Sequence, residues 1–508
     1  MSSDDLAPDQ FLYGRKGPWP QPSPTHPLKE AAEVLNIPPI EALLWNSTIG
    51  KRLLETQFGY PGFAAGLAML DLELPIPSND QFNKFMLNTA YTRYMKPVAP
   101  AYRQYIDTSP NAVKTWSYDF SAMRLVKPLQ GLYCAPVVCI FAQYADGSRR
   151  CTAIIFRGET HDRDVPIYPS APEANWNLAK IYALQAAAYH MLFVVHPALH
   201  FPMDSVNAIT KTAVPQTHPL FQLLYPHTSY TLALDNAVLE GPESVVNNNA
   251  QGTWFDPLMG DGYNLKLLFG AGYAGLDDPW YGDAYPAYDY MKPQMGFDSE
   301  YGRWLAAYFE PFKLFCKVVA SEILTANKND PCVTKNDPYV TRWARYNATY
   351  VKGFPDEKSI LDPDCLAQVL AIYMWDVTVA HGGDHYSFGQ NIPAAYKFLR
   401  IRHRSPATPP QLPGIKWVGD VSSGDDLLRA QMAHKMFFMP SSIFPNLFET
   451  LYPFTNPVLA ASQLVFKGLL KEVSDGFKYA PDTPFMPLIP QAEDKSDYPL
   501  TIPASIQY

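Results

Sequence analysis

Residues 365–390 read CLAQVLAIYMWDVTVAHGGDHYSFGQ and carry the strongest structural signal in the sequence. Residues 365–380 are apolar nearly all round a helix, a pattern typical of a helix buried inside a protein. His381 and His385 follow four positions apart, so a helix places both imidazoles on one face. Two histidines on one face of a buried helix form a chelating pair, which predicts a metal site.

A second group of histidines lies on the predicted helix that begins at Trp176. His190 and His196 are six positions apart, about 120° on a regular helix, so they converge only if a π-bulge widens the helix. His196 and His200 are four apart and converge on a regular helix, but Pro197 lies between them and disrupts it. Spacing alone leaves both pairs open.

Helical periodicity dominates the rest of the chain and predicts a mainly α fold. Helices are expected over residues 176–200, 301–327, 338–351, 363–386, 425–438 and 457–473. An earlier helix is expected to begin at Asn79, with the Asn79 side chain as its cap, and to run to Pro97. Between Tyr118 and Arg157, β-branched and apolar runs bounded by glycine and proline predict a small antiparallel sheet. The Pro-rich residues 1–26 are expected to form an arm, followed by a helical segment over 27–115.

The composition argues against several classes of function. The 508 residues carry a net charge of −9, so the basic surface that nucleic acid binding requires is not expected. The N-terminus lacks the basic start and apolar run of a secretory signal, and no stretch reaches the ~18 apolar residues of a membrane span, which predicts a cytoplasmic protein. The six cysteines show no CxxC spacing, which argues against structural zinc. The GxGxxG string at residues 270–275 is followed by prolines instead of a helix, which argues against a dinucleotide site.

Several stretches, in the same order along the chain, resemble the core of the lipoxygenase family. They are residues 164–180 (DVPIYPSAPEANWNLAK), 217–236 (THPLFQLLYPHTSYTLALDN), 339–351 (YVTRWARYNATYV), 381–390 (HGGDHYSFGQ) and 502–508 (IPASIQY). The first is similar to the W-x-x-A-K helix that precedes the family's first metal histidines. The HGGDH stretch is similar to its second metal helix, H-x-x-x-[NH]-x-x-G-Q. The last is similar to the family's chain end, I-P-N-S-[IV]-x-I, where the terminal carboxylate is itself a metal ligand.

The resemblance implies a large lipoxygenase-like catalytic domain over residues 116–508, or a single domain over 27–508, built around two long central metal-binding helices. Matched position by position, it implies five metal ligands: His190, His196, His381, His385 and the C-terminal carboxylate of Tyr508. The first pair is six apart here and five apart in the family, and one deletion with one insertion reconciles the two counts. His200 then falls on a non-ligand position, which makes it the less favoured alternative to His190.

The implied cofactor is one iron ion, with manganese as the alternative, because nitrogen-rich ligation with one carboxylate suits both metals. The implied activity is that of a dioxygenase acting on a polyunsaturated fatty acid or polyene. A hydrogen atom leaves an activated CH2 group, O2 adds to the resulting radical, and a hydroperoxide forms. No catalytic side chain is expected beyond the metal-bound hydroxide. Gln185 and Asp384 are candidates for the groups that orient the ligating histidines. Such a substrate is compatible with transient contact between the protein and a membrane surface.

Two other hypotheses stay open from the sequence. The altered histidine spacing, and Leu239 where plant lipoxygenases carry arginine, are compatible with a hydroperoxide isomerase or an oxygenase of secondary-metabolite polyenes. A lipoxygenase-like fold that has lost its metal and serves as a non-catalytic scaffold is the other hypothesis, because a fold does not by itself determine a function.

Overall fold

The computed structural model describes residues 76–229, 231–235, 298–325, 337–351, 354–389, 400–403, 415–428, 446–480, 483–490 and 501–506, with short pieces before residue 76. The sequence-based predictions for most of the 1–26 arm, for the GxGxxG string and for the carboxylate of Tyr508 therefore lie outside the described residues.

Helices make up most of the described structure, as the sequence predicts. The α-helices are α1 (Asn79–Leu87), α2 (Glu173–His190), α3 (Pro197–Ala213), α4 (Pro219–Leu224), α5 (Thr231–Asp235), α6 (Glu300–Thr325), α7 (Pro338–Tyr350), α8 (Glu357–Ile360), α9 (Pro363–Trp375), α10 (His381–Gly389), α11 (Val418–Val421) and α12 (Pro457–Asp475). Short 3-10 turns lie at Ala90–Tyr94, Pro100–Tyr105, Ser121–Leu125, His161–Arg163 and Tyr225–His227. No helix in this part of the chain is both long enough and apolar enough to cross a membrane.

The first of these helices differs in detail from the sequence-based prediction. Ser78, and not Asn79, caps α1: its side chain accepts from the backbone N–H of Gln81 at 3.1 Å, and the Gln81 side chain accepts from the Ser78 N–H at 2.9 Å. Asn79 Oδ1 instead accepts from the indole of Trp176 at 2.8 Å. The helix stops at Leu87, well before Pro97, and a 3-10 turn replaces its predicted second half.

The predicted sheet is present and antiparallel. Its strands are β3 (Ala112–Asp119), β4 (Val137–Tyr144), β5 (Arg149–Phe156) and β6 (Val165–Ile167), and each pairs with the next in chain order. A two-residue pair, β1 (Tyr13–Gly14) and β2 (Glu33–Val34), lies earlier in the chain. Helix α2 packs against β4, β5 and β6, so the sheet covers one side of the first long central helix.

Two long segments run through the middle of the protein. Helix α9 begins at Pro363, after Asp362 accepts a hydrogen bond from the N–H of Cys365 at 2.9 Å. It is buried on all sides from Val369 to Trp375. It continues through a π-helix, Asp376–Ala380, into α10. Helix α2 continues in the same way through a π-helix, Met191–Val195, into α3. Both segments are therefore helical throughout, with one widened turn each.

Aromatic packing fixes the second central segment against its neighbours. Helix α6 lies along both α9 and α12, and Trp375 donates its indole N–H to the carbonyl of Leu305 at 3.0 Å. On the other side of α6, the ring of Phe315 stacks on Phe466 of α12 with centroids 4.6 Å apart. Such rings each bury a large apolar area, so these contacts hold α9 rigidly in the core.

Candidate metal centre

Four histidines from the two central segments bring their Nε2 atoms together in the core. His196 Nε2 lies 3.0 Å from His200 Nε2 and 3.2 Å from His385 Nε2, and His381 Nε2 lies 3.0 Å from His200 Nε2. His196, His381 and His385 are buried, with ligand atoms all within 4.8 Å of one another. We call His196, His200, His381 and His385 the histidine quartet.

The spacing within the quartet fits ligands arranged around one metal ion. Two imidazole nitrogens about 2.1 Å from an ion lie about 3.0 Å apart when they subtend a right angle, and about 3.4 Å apart at the tetrahedral angle. The observed 3.0 to 3.2 Å contacts therefore fall in the range expected between nitrogens that share one metal ion. Imidazole nitrogens suit several first-row transition metals.

Hydrogen bonding within the quartet cannot account for all of its short contacts. An imidazole N–H makes one good hydrogen bond, and a nitrogen without hydrogen only accepts. His196 Nε2 contacts two quartet nitrogens and His200 Nε2 also contacts two. A shared proton can serve one of these contacts at a time, whereas a cation can accept a lone pair from several nitrogens at once. The nitrogens of His196, His381 and His385 lie within 4.8 Å of one another, and His200 contacts two of these three histidines. The donor set therefore fits a bound metal ion.

Asp384 and Tyr301 hold His196 in the orientation that ligation requires. Asp384 is fully buried, and its Oδ2 accepts from His196 Nδ1 at 3.3 Å. With its proton on Nδ1, the imidazole directs the lone pair of Nε2 toward the quartet. Tyr301 of α6 donates its hydroxyl to Asp384 Oδ1 at 3.2 Å. Sequence reasoning named Asp384 as a candidate for this role and missed Tyr301, which lies in a distant segment.

Gln185, the other residue proposed from sequence to orient a histidine, has a different neighbour. Its side chain donates to the backbone carbonyl of Tyr133 at 3.1 Å. It is fully buried on α2, where it connects this helix to the loop before β4.

His200, and not His190, lies beside the other three histidines. The ring of His190 packs edge-on against Phe120 with centroids 5.3 Å apart, at the last residue of α2. The π-bulge that convergence of His190 and His196 would require is present, since the His196 N–H donates to the carbonyl of Met191, five residues back, at 2.8 Å. It does not bring His190 into the quartet. The resemblance-based preference for His190 over His200 thus differs from the observed geometry.

Pro197 does not separate His196 from His200 as its chemistry led us to expect. Proline breaks a helix because it lacks an N–H and crowds the preceding turn. Here the preceding turn is π-helical, and Pro197 takes the first position of α3, where a missing N–H costs little. The α-helical spacing of four is then kept from His196 to His200, and both imidazoles face the same point.

The second segment repeats this arrangement. The π-helix Asp376–Ala380 directly precedes His381, whose N–H donates to the carbonyls of Asp376 and Thr378. Widened turns are often found at functional sites. Each half of the quartet thus begins on the first residue after a π-helix, a symmetry that the sequence did not reveal.

Burial favours the neutral form of the histidine that the sequence had ranked lower. Burial lowers the pKa of His200 to about 3. A neutral imidazole is the form that ligates a metal ion.

The C-terminal tail lies against α10. A Cβ added to Gly382 would stand 2.6 Å from Cδ of Pro503 and 3.3 Å from Sδ of Met486, so only glycine leaves room for the tail there. Residues Ile502 to Ile506 are buried. The tail thus passes directly beside the turn between His381 and His385.

Comparison with known proteins gives partial sequence matches. No known family model matches the chain. The chain is 31% identical over 125 residues to a polyunsaturated fatty acid lipoxygenase of Rattus norvegicus. This match covers 23% of the chain and 18% of the relative. The chain is 28% identical over 167 residues to the epidermal-type polyunsaturated fatty acid (12S)/(13S)-lipoxygenase of the same species, which covers 30% of this chain and 23% of the relative. The matched segments therefore span less than a quarter of these relatives.

Solved structures match over nearly the whole chain. A calcium-dependent 11R-lipoxygenase superposes with a TM-score of 0.68 at 14% identity, covering 89% of this chain and 73% of the other. The chain has the lipoxygenase fold. The manganese lipoxygenase of Gaeumannomyces graminis superposes with a TM-score of 0.65 at 14% identity, and the match covers 99% of both chains. A lipoxygenase in complex with arachidonate matches with a TM-score of 0.65 at 17% identity, covering 97% of this chain and 79% of the other. At identities of 14 to 17%, these matches show a shared fold.

Proposed function

We propose that this protein is a non-haem metal dioxygenase that converts a polyunsaturated fatty acid or polyene and O2 into a hydroperoxide. The observation that supports the proposal most is the histidine quartet, whose Nε2 atoms converge at 3.0 to 3.2 Å in the core of a lipoxygenase fold. Neutral imidazoles that meet at one buried point are in the form that binds a metal ion.

The proposed ligands are the histidine quartet together with the main-chain carboxylate of Tyr508. The quartet replaces the pair His190 and His196 of the sequence-based set with His196 and His200. The carboxylate stays a prediction from the resemblance, supported by the described tail residues beside Gly382. Iron or manganese bound there would supply the one-electron chemistry that removes a hydrogen atom from an activated CH2 group.

The protein's own residues orient the ligands and exclude water. Asp384 keeps the Nε2 lone pair of His196 directed at the quartet, and Tyr301 keeps the carboxylate in place. The burial of three of the four histidines keeps competing water away from a radical substrate. The overall reaction is balanced by O2 alone: the C–H bond of the substrate breaks, a C–O bond forms, and the hydrogen ends on the hydroperoxide.

The substrate class is proposed from the relatives. Both matched rat proteins are named as lipoxygenases of polyunsaturated fatty acids, and one matched structure contains arachidonate. The reaction requires a CH2 group flanked by two double bonds, because only that C–H bond is weak enough to break. A saturated fatty acid of equal length is therefore the matched negative control.

The test combines metal analysis with oxygen uptake. The purified protein, loaded separately with Fe²⁺ and Mn²⁺, is supplied with linoleate or with stearate under air. We expect about one ion per chain, oxygen consumption with linoleate, and none with stearate. The variant His385→Leu should lose both the metal and the uptake. A protein that binds no metal would contradict the proposal and favour the scaffold hypothesis, and metal without uptake would exclude linoleate-type fatty acids as substrates.

A further inference from the structure

His227 connects the C-terminal tail to the interior of the protein. It lies in the 3-10 turn Tyr225–His227 and is completely buried. Its Nδ1 is 2.5 Å from the carbonyl oxygen of Ala504, and its Nε2 is 2.9 Å from the hydroxyl of Tyr452. A carbonyl only accepts, so Nδ1 carries the hydrogen and donates it to Ala504. Nε2 then accepts from the hydroxyl of Tyr452.

The partner of His227 on the interior side is itself held firmly. The Tyr452 ring packs edge-on against Phe315 of α6 with centroids 5.2 Å apart, and it stacks on Phe454 at 5.6 Å. Tyr452 is 4% exposed, so its hydroxyl has little freedom to leave His227. A continuous connection thus runs from the core aromatic cluster through Tyr452 and His227 to the tail.

The tail makes further hydrogen bonds around the same point. The Ser505 hydroxyl donates to the carbonyl of His227 at 2.9 Å. Further up the tail, the Ile502 N–H donates to Pro487 O at 2.9 Å and the Ile502 carbonyl accepts from Leu447 N–H at 2.8 Å. The Ser505 hydroxyl also lies 3.3 Å from the carbonyl oxygen of Ser229, so Ala504 and Ser505 are held by the segment around His227 close to the end of the described tail.

We propose that His227 is a positioning residue for the metal centre: by fixing Ala504 and Ser505, it holds the tail against α10 beside the histidine quartet. The inference rests on the proposed function, since it requires that the quartet binds a metal ion. His227 contacts the tail and not the quartet in this arrangement, and Pro503, directly before Ala504, is the residue that packs on Gly382. Loosening the tail at His227 therefore loosens the residue that packs on α10 between His381 and His385.

Graded variants separate positioning from general stability. In His227→Leu both side-chain hydrogen bonds are lost. In His227→Asn the amide nitrogen takes the place of Nδ1 and keeps the donor to Ala504, but the contact with Tyr452 is lost. Tyr452→Phe removes one hydroxyl and leaves the ring packing intact. Residues that support a metal site from outside the ligand set typically contribute about 10- to 100-fold to metal affinity.

His218→Asn is the matched control. His218 lies in the same segment, caps α4 by accepting from the Leu220 N–H at 3.1 Å, and contacts Asp337 at 3.1 Å through Nε2. Its described hydrogen bonds are with Leu220 of α4 and with Asp337, which caps α7, and not with the tail. Its replacement should lower the free energy of unfolding without changing the affinity for Mn²⁺.

The experiment measures Mn²⁺ binding to the metal-free full-length protein, by electron paramagnetic resonance of the free ion, and hydrogen exchange of the peptide containing residues 501–506. We expect about 10- to 100-fold weaker Mn²⁺ binding for His227→Leu, a smaller loss for His227→Asn and Tyr452→Phe, and faster exchange of the tail in the same order. His218→Asn should match the wild type in both measurements.

The two proposals fail in different ways. A wild-type protein that binds no Mn²⁺ or Fe²⁺ overturns the proposed function. Wild-type binding that is unchanged in His227→Asn and Tyr452→Phe, with an unchanged tail, overturns the positioning role alone. If His227→Leu does not fold, these two conservative variants still decide the question.

Discussion

An alanine at Gly382 tests how closely the tail and the second metal segment are fitted together. The added methyl carbon would lie 2.6 Å from Pro503 Cδ and 3.2 Å from Pro503 Cγ. Ordinary carbon–carbon contacts are about 3.5 to 4.0 Å, so the tail or the helix must move by about 1 Å. Overpacking of this kind typically costs about 1 to 3 kcal/mol. Alanine also gains about 1 kcal/mol over glycine inside a helix, so the net destabilisation is expected at about 0 to 2 kcal/mol.

Gly468→Ala separates the two contributions. Gly468 lies inside α12, where an added Cβ meets nothing within 4 Å. It should gain the helix propensity alone and stabilise the protein by about 1 kcal/mol. Urea unfolding of both metal-free variants should therefore show Gly382→Ala less stable than Gly468→Ala by about 1 to 3 kcal/mol. Gly382→Ala should also bind Mn²⁺ more weakly, because the displaced tail shifts one wall of the site. Equal stability of the two variants, with unaltered metal binding, would refute the close fit of the tail against α10.

Two further predictions concern the groups around the quartet. Asp384→Asn removes the negative charge that accepts the hydrogen bond from His196, so metal affinity should fall about 10- to 100-fold. Tyr301→Phe should show a smaller fall. If both variants bind Mn²⁺ as tightly as the wild type in a titration, this orienting role is excluded. Burial lowers the pKa of His227 to about 4 and that of His190 to about 3, so below pH ~6.5 the unfolded chain takes up protons that the folded chain does not. The free energy of unfolding of the metal-free protein should then fall as the pH is lowered from 6.5, by about 2 kcal/mol for each histidine at pH 5. The fall should be smaller in His227→Asn. Urea midpoints that do not change with pH would show that these histidines are not buried in the neutral form.

Much of the fold could be predicted from the sequence because its strongest patterns are local. The apolar run before His381 fills a buried helix on every side, so its burial follows from composition alone. The β-branched and apolar runs between Tyr118 and Arg157 likewise predicted the sheet, which the structure confirms with four antiparallel strands. The predicted length of α1 was wrong because the residues after Leu87 are equally compatible with a continued α-helix and with a 3-10 turn. Tertiary packing decides between the two.

The membership of the metal centre depended on helix phase, which spacing does not fix. One π-turn adds a residue to a helix and rotates everything after it. A π-turn was the condition for pairing His190 with His196; it is present, yet the residue that contacts the second segment is His200. Tyr301 could not be found from sequence at all, because its role depends on how α6 packs against α10.

The ligand set is tested most directly by the metal content of two matched variants, His200→Leu and His190→Leu, loaded with Mn²⁺ beside the wild type and analysed by mass spectrometry. The quartet geometry predicts about one ion per chain in the wild type and in His190→Leu, and loss of the ion in His200→Leu. Retention of the metal in His200→Leu together with its loss in His190→Leu would contradict the account and restore His190 as the ligand.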